Sequence, residues 1–158
     1  MKALRGVLLV AVLMAVLSGC YAHSGIQKTQ LQIREFQTRI YKTDDTNMVM
    51  KACLNALQDS GFIVKNMVPG MGLLTAEKTG NAPRTYNNLR LDIKINIAEA
   101  SVNITTISNE TRVRANFIVR GENSFGGKIF AKQIEDEETY QKFFSIVDKS
   151  IFIQKEGI

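Results

Sequence analysis

A chain of 158 residues, 45% hydrophobic and 22% charged, has room for one domain plus a targeting segment. Its composition excludes both a disordered chain and a multi-span membrane protein. A formal net charge of +5 is too mild to single out nucleic acid as a partner.

Lys2 and Arg5 precede an unbroken apolar run over residues 6–17. A helix of that length rises roughly 18 Å, well short of the ~30 Å hydrocarbon core, so the run reads as the h-region of a signal peptide rather than a membrane span. Leu17-Ser18-Gly19-Cys20 follows directly and resembles the lipobox of bacterial lipoproteins. The resemblance implies cleavage before Cys20, a thioether-linked diacylglyceryl group on its sulfur, and acyl chains of the palmitate class. A thiol is nucleophilic enough to accept that group, and small residues before it let a peptidase close on extended backbone. One acyl chain anchors only marginally at about 0.8 kcal/mol per methylene, whereas two or three hold firmly. Loss of residues 1–19 takes Lys2 and Arg5 away and lowers the net charge from +5 to about +3. Tyr21 stands where an aspartate would retain such a lipoprotein in the inner membrane. The resemblance therefore implies the outer membrane, on its periplasmic face.

Residues 20–30 are polar with no apolar period and read as a lipidated flexible tether. The remaining residues, 31–158, are expected to form a single domain. Phe36, Thr38 and Ile40 alternate with Gln37, Arg39 and Tyr41, the pattern of a half-buried strand with the first set inward. Thr43-Asp44-Asp45-Thr46 supplies N-cap candidates. Val49, Ala52, Cys53, Ala56 and Leu57 then recur at helical spacing until Gly61 stops the helix. Residues 62–67 and 72–78 read as the arms of a hairpin, with Pro69-Gly70 at the centre of a type II turn. Residues 79–88 have loop composition. Leu89, Leu91, Ile93, Ile95 and Ile97 alternate with polar residues, after which the apolar phase shifts to Ala98, Ala100, Val102 and Ile104. A period-two pattern that changes face predicts a bulge or turn near Ala98. Ser108-Asn109-Glu110 is a turn, and Val113, Ala115, Phe117 and Val119 mark another strand. Residues 121–127 turn the chain into an answering strand over 129–133.

A last helix opens on Glu135, Asp136, Glu137 and Glu138, where the dipole favours acids, and carries Lys149 and Lys155 toward its other end. Tyr140, Phe143, Phe144, Val147 and Ile151 form its apolar stripe. Hairpin-length connections and two amphipathic helices predict an α+β fold: an antiparallel sheet of about five to seven strands packed against two helices, a two-layer sandwich.

Several stretches are similar to a group of small Gram-negative lipoproteins without assigned activity. They are Gln37-Thr38-Arg39, Leu57-Gln58-Asp59-Ser60-Gly61-Phe62, Gly72-Leu73-Leu74-Thr75-Ala76-Glu77-Lys78, Tyr140-Gln141-Lys142-Phe143-Phe144 and Lys149-Ser150-Ile151-Phe152. That similarity implies an envelope lipoprotein with one α+β domain. The element order also resembles the helix-grip domains of the lipoprotein subunit of the β-barrel assembly machinery, at the level of fold alone.

His23 lies in the tether without companion ligands, so no metal or cofactor is expected. Cys53 falls on an apolar helix face with no histidine to activate it and reads as a packing residue. The acidic runs at Asp44-Asp45 and 135–138 fit helix capping better than acid–base catalysis. No phosphate loop or hydrolase elbow accompanies them. Arg112, Arg114 and Arg120 share the outward phase of one strand and could meet anionic headgroups or an acidic partner. Ile146 and Ile153, off the main stripe of the last helix, either border a wide core or mark a partner surface. These features predict a non-enzymatic scaffold or adaptor for another envelope protein, anchored to the membrane by its lipid. The alternative is a carrier holding a lipid-like ligand between helix and sheet.

Overall fold

The computed structural model describes residues 28–81, 95–123 and 125–157. Residues 1–20, read as signal peptide and lipobox, and His23 lie outside them, as do residues 89–94 of the strand expected over 89–97. Within them the α+β expectation holds. Six antiparallel strands form one sheet, and two long helices pack on one of its faces.

Thr29 begins the first element, helix α1 (Gln30–Phe36), through a capping box: its hydroxyl accepts from the Gln32 amide while the Gln32 side chain accepts from the Thr29 amide. The sequence reading assigned Gln30 to the tether and saw no helix here. Chain order then gives β1 (Thr38–Tyr41), helix α2 (Thr46–Asp59), β2 (Ile63–Val68), β3 (Leu73–Asn81), β4 (Ile95–Ile107), β5 (Glu110–Glu122), β6 (Lys128–Gln133) and helix α3 (Glu137–Glu156). The sheet runs β1-β5-β4-β3-β2, with β6 also on β5.

Both long helices start and stop where local chemistry directs. Asp45 caps α2 by accepting from the Met48 amide, and Asp136 caps α3 through Thr139. After α2 the chain closes a Schellman turn: Gly61 takes φ +80°, its amide reaches the Gln58 carbonyl, and the Phe62 amide reaches that of Leu57. The five apolar positions expected on each helix are buried. They meet Leu74, Ala76, Ala100, Val102, Ile104, Val113, Ala115 and Phe117 from the sheet. Phe117 sits among Phe62, Tyr140 and Phe143 with ring centroids 5.2–6.0 Å apart.

Four local expectations are corrected. The strand β1 faces the other way: Gln37 is buried and Arg39 and Tyr41 turn toward α3, while Ile40 is 50% exposed. Cross-strand partners share a face, and Arg39 and Tyr41 pair with inward Val113 and Thr111. Pro69–Met71 forms a 3-10 turn instead of a type II turn, and the left-handed residue is Gly72 at φ +62°. No bulge interrupts β4 near Ala98; its pairing with β3 and β5 runs unbroken through that residue. The shift of apolar phase instead reflects the two faces of one straight strand. Ala100, Val102 and Ile104 look to the helices, and Ile97 lies half-buried on the opposite face with Ile118. Thr79 and Gly80, read as loop, extend β3.

A gap opens on the edge of β5 between the end of β1 and the end of β6. The Tyr140 hydroxyl fills it, accepting from Gln37 Nε2 (3.1 Å) and the Phe117 amide (3.3 Å) and donating to the Ile134 carbonyl (2.8 Å).

Candidate functional site

On the face of the sheet away from α2 and α3, the outward phase of β5 carries Arg112 and Arg114. Arg114 pairs across the ladder with Thr38 and Asn103, and Arg112 with Ile40 and Thr105. None of these cross-strand partners is acidic. On α1, Gln30 and Arg34 stand four residues apart and therefore share one side. That side meets Gln37, Ser101, Asn103, Arg114, Asn116 and Gln133 around a recess of about 310 Å³. No carboxylate stands on its wall. Among the described residues Arg34, Arg112 and Arg114 enter no ion pair. Asn116 Oδ1 is buried without a hydrogen-bond partner there. Guanidinium groups present planar donor forks that match phosphate and carboxylate oxygens, so two of them in one recess make a site for an anion.

Arg120 is on the same strand face but does not share this freedom. Its Nη1 reaches Glu99 at 2.6 Å, with Glu77 at 3.6 Å and Glu122 at 3.5 Å, and its side chain is only 19% exposed. Lys65 joins through Glu77 at 3.1 Å. The network ties β2, β3, β4 and β5 together, so the stripe read from sequence divides into two free arginines and one structural one.

Ile146 packs against the core, which answers for its place beside the main stripe. Ile153 is 38% exposed and, with Ile146 and Lys149, lines a groove of about 370 Å³ between α2 and α3. Asn55 donates to Ser150 across its floor (3.2 Å). Phe152 is also exposed beside it.

In a cleft of about 440 Å³ between α1 and α3 both cations on the wall, Lys28 and Arg39, have acidic partners. Lys28 lies over the Phe36 ring and 3.9 Å from Glu137, while Arg39 stacks on Phe144 and donates to Asp148 at 2.6 Å. Burial, reinforced by Asp148, holds the Tyr41 phenol protonated well above its ordinary range.

Cys53 is fully buried, and burial pushes its thiol up to about 12, which leaves it an un-ionised packing group. Asp45 and Asp136 act as caps, and Glu138 pairs with Lys142 along the helix. Hydrogen bonds from Thr139 hold the Asp136 carboxyl below its usual value. Cys20, Leu17, Ser18 and Gly19 lie outside the described residues.

Sequence reasoning found Arg114, with Asn116 beside it on the outward phase of the strand, but missed Arg34 and Gln30, because only the fold brings α1 over β4 and β5. The one local signal was the Thr29–Gln32 capping box, which marks the helix that presents Arg34. Compared with known proteins, the sequence matches no family model and no curated relative.

Proposed function

We propose that this chain is an envelope lipoprotein, anchored through Cys20 at the periplasmic face of the outer membrane, that serves as a non-enzymatic adaptor for another envelope protein. Support for the anchor comes from the charged start, the twelve-residue apolar run and the Leu17-Ser18-Gly19-Cys20 sequence. Support for an adaptor over a carrier comes from one observation above the others. The layer between helices and sheet is filled by Val49, Cys53, Leu57, Val102, Tyr140 and Phe144, all under 2% exposed, where a carrier needs an apolar hollow. The basic recess, the groove beside Ile153 and the cleft between α1 and α3 lie on the surface rather than in this layer.

Photo-cross-linking in cells from position 153 tests the reading, together with native mass spectrometry of the purified protein. The adaptor reading predicts one discrete adduct with an envelope protein and no ligand retained in the interior. A lipid held stoichiometrically within the domain, beyond the anchor itself, would replace the adaptor with the carrier.

A further inference from the structure

We infer that the recess between α1 and the sheet binds the headgroup of an acidic phospholipid, a glycerol phosphate of the phosphatidylglycerol type, in the membrane that holds the anchor. The inference rests on the lipid anchor proposed above.

Three observations carry it. The first is charge: Arg34 and Arg114 face one concave site with no carboxylate on its wall and no ion pair among the described residues. Arg112 adds a third free cation two residues along β5. Every glycerophospholipid offers a phosphodiester to such guanidinium forks, but a choline or ethanolamine headgroup brings its own ammonium into a site already lined by cations, whereas a glycerol headgroup leaves the negative charge to the arginines. The second is the set of neutral groups. Ser101, Asn103 and Gln30 offer donors and acceptors around the arginines, and Asn116 Oδ1 is a buried acceptor awaiting a donor. A glycerol headgroup brings hydroxyls beside its phosphate, which meets both demands.

The third is position. Gln30 belongs to the recess wall and stands only ten positions after Cys20. Even fully extended, that length spans at most roughly 35 Å. Lys28 shortens it further, because its ammonium donates to the Glu135 carbonyl at 3.3 Å and so pins the chain against the start of α3. The recess is therefore kept within a short reach of the bilayer surface. There each arginine adds attraction, and its loss weakens docking about fivefold.

The test uses the full mature lipoprotein reconstituted in two kinds of vesicle, phosphatidylcholine alone and phosphatidylcholine with about a third phosphatidylglycerol. Amide hydrogen exchange is followed at α1 and at the recess stretches of β4 and β5. Expected is slower exchange at these segments in the phosphatidylglycerol vesicles only. The docking equilibrium should fall about twenty-five-fold in Arg34→Gln/Arg114→Gln. It should be unchanged in Lys51→Gln, which removes a positive charge from the helix layer, and should fall about fivefold in Arg114→Gln, the single-charge match. Both arginines are exposed and unpaired, so the variant keeps its fold, which unchanged exchange in the core of α3 verifies.

Equal exchange in both vesicles, from protein whose N-terminal mass carries the lipid, would overturn the inference and leave the anchor standing. Equal protection from inorganic phosphate added to the detergent-solubilised protein, with no gain from vesicles, would overturn the membrane as the source. So would protection conferred only by an acidic protein partner. An N-terminal mass without lipid would instead overturn the anchor, and the membrane site with it.

Discussion

Tyr140→Phe removes one oxygen and leaves the ring stack intact, so it isolates what the hydroxyl does for the sheet. That ring packs at 5.2 Å from both Phe36 and Phe117, and phenylalanine preserves these contacts. Three groups lose their partner: the Phe117 amide, Gln37 Nε2 and the Ile134 carbonyl. Gln37 is fully buried and its Oε1 already lacks a partner among the described residues, so its side chain has little spare bonding to fall back on. A buried group left unpaired costs about 1–3 kcal/mol, and local relaxation recovers part of the total, which gives an expected loss of about 2–5 kcal/mol. Urea titration followed by circular dichroism measures it. The midpoint should fall by roughly 1–3 M with an unchanged slope, given typical slopes of about 1–3 kcal/mol per M. Exchange of the Phe117 amide should accelerate beyond that of its neighbours Ala115 and Val119. A midpoint shift worth less than about 0.5 kcal/mol, the range of an ordinary surface substitution, would refute the claim that this hydroxyl closes the sheet.

The cluster on the far face yields a second expectation: Arg120→Met should cost about 2 kcal/mol in the same titration, because Glu77, Glu99 and Glu122 lose their shared cation. Adding Glu99→Gln should recover part of that loss, and no recovery would argue against a charge effect. Gly72→Ala should destabilise by about 2 kcal/mol or more, since the added methyl would meet the Ile104 carbonyl oxygen at 1.9 Å while φ stays at +62°. Cys53 should resist maleimide in the native protein and react fully in urea, as its burial requires. Because the folded thiol is raised from 9.0 to about 12, its contribution is intact below about pH 9. It falls by about 1.4 kcal/mol per pH unit as pH rises toward 12, where the unfolded chain ionises first. Cys53→Ala should lessen that decline in alkaline unfolding curves.

Long amphipathic stretches were legible because their period is set by the helix itself. The buried faces of α2 and α3, and the inward set Val113, Ala115 and Phe117, follow from spacing alone. The four-residue β1 was misread because its inward side chains are polar. Gln37 Nε2, Arg39 and Tyr41 find their partners in Tyr140, Phe144 and Asp148, which lie a hundred residues away in sequence. Near Ala98 the pattern changed because the sheet presents apolar residues on both faces at that end, which imitates a bulge in one dimension. The recess was only half visible for a related reason. Outward spacing located Arg114, but its companion Arg34 belongs to a helix whose sole buried apolar residue is Ile33, too weak a period to announce itself. Arg120 looked equivalent to Arg114 until the register brought Glu77 and Glu99 beside it.

Metabolic labelling with radioactive palmitate, comparing the natural chain with Cys20→Ser, tests the anchor most directly. The natural protein should take up label and fractionate with membranes, while the serine variant stays unlabelled and accumulates as the longer precursor. A variant that labels and matures normally, or a natural mature protein beginning with an unmodified thiol, would contradict the assignment of this domain to a membrane surface.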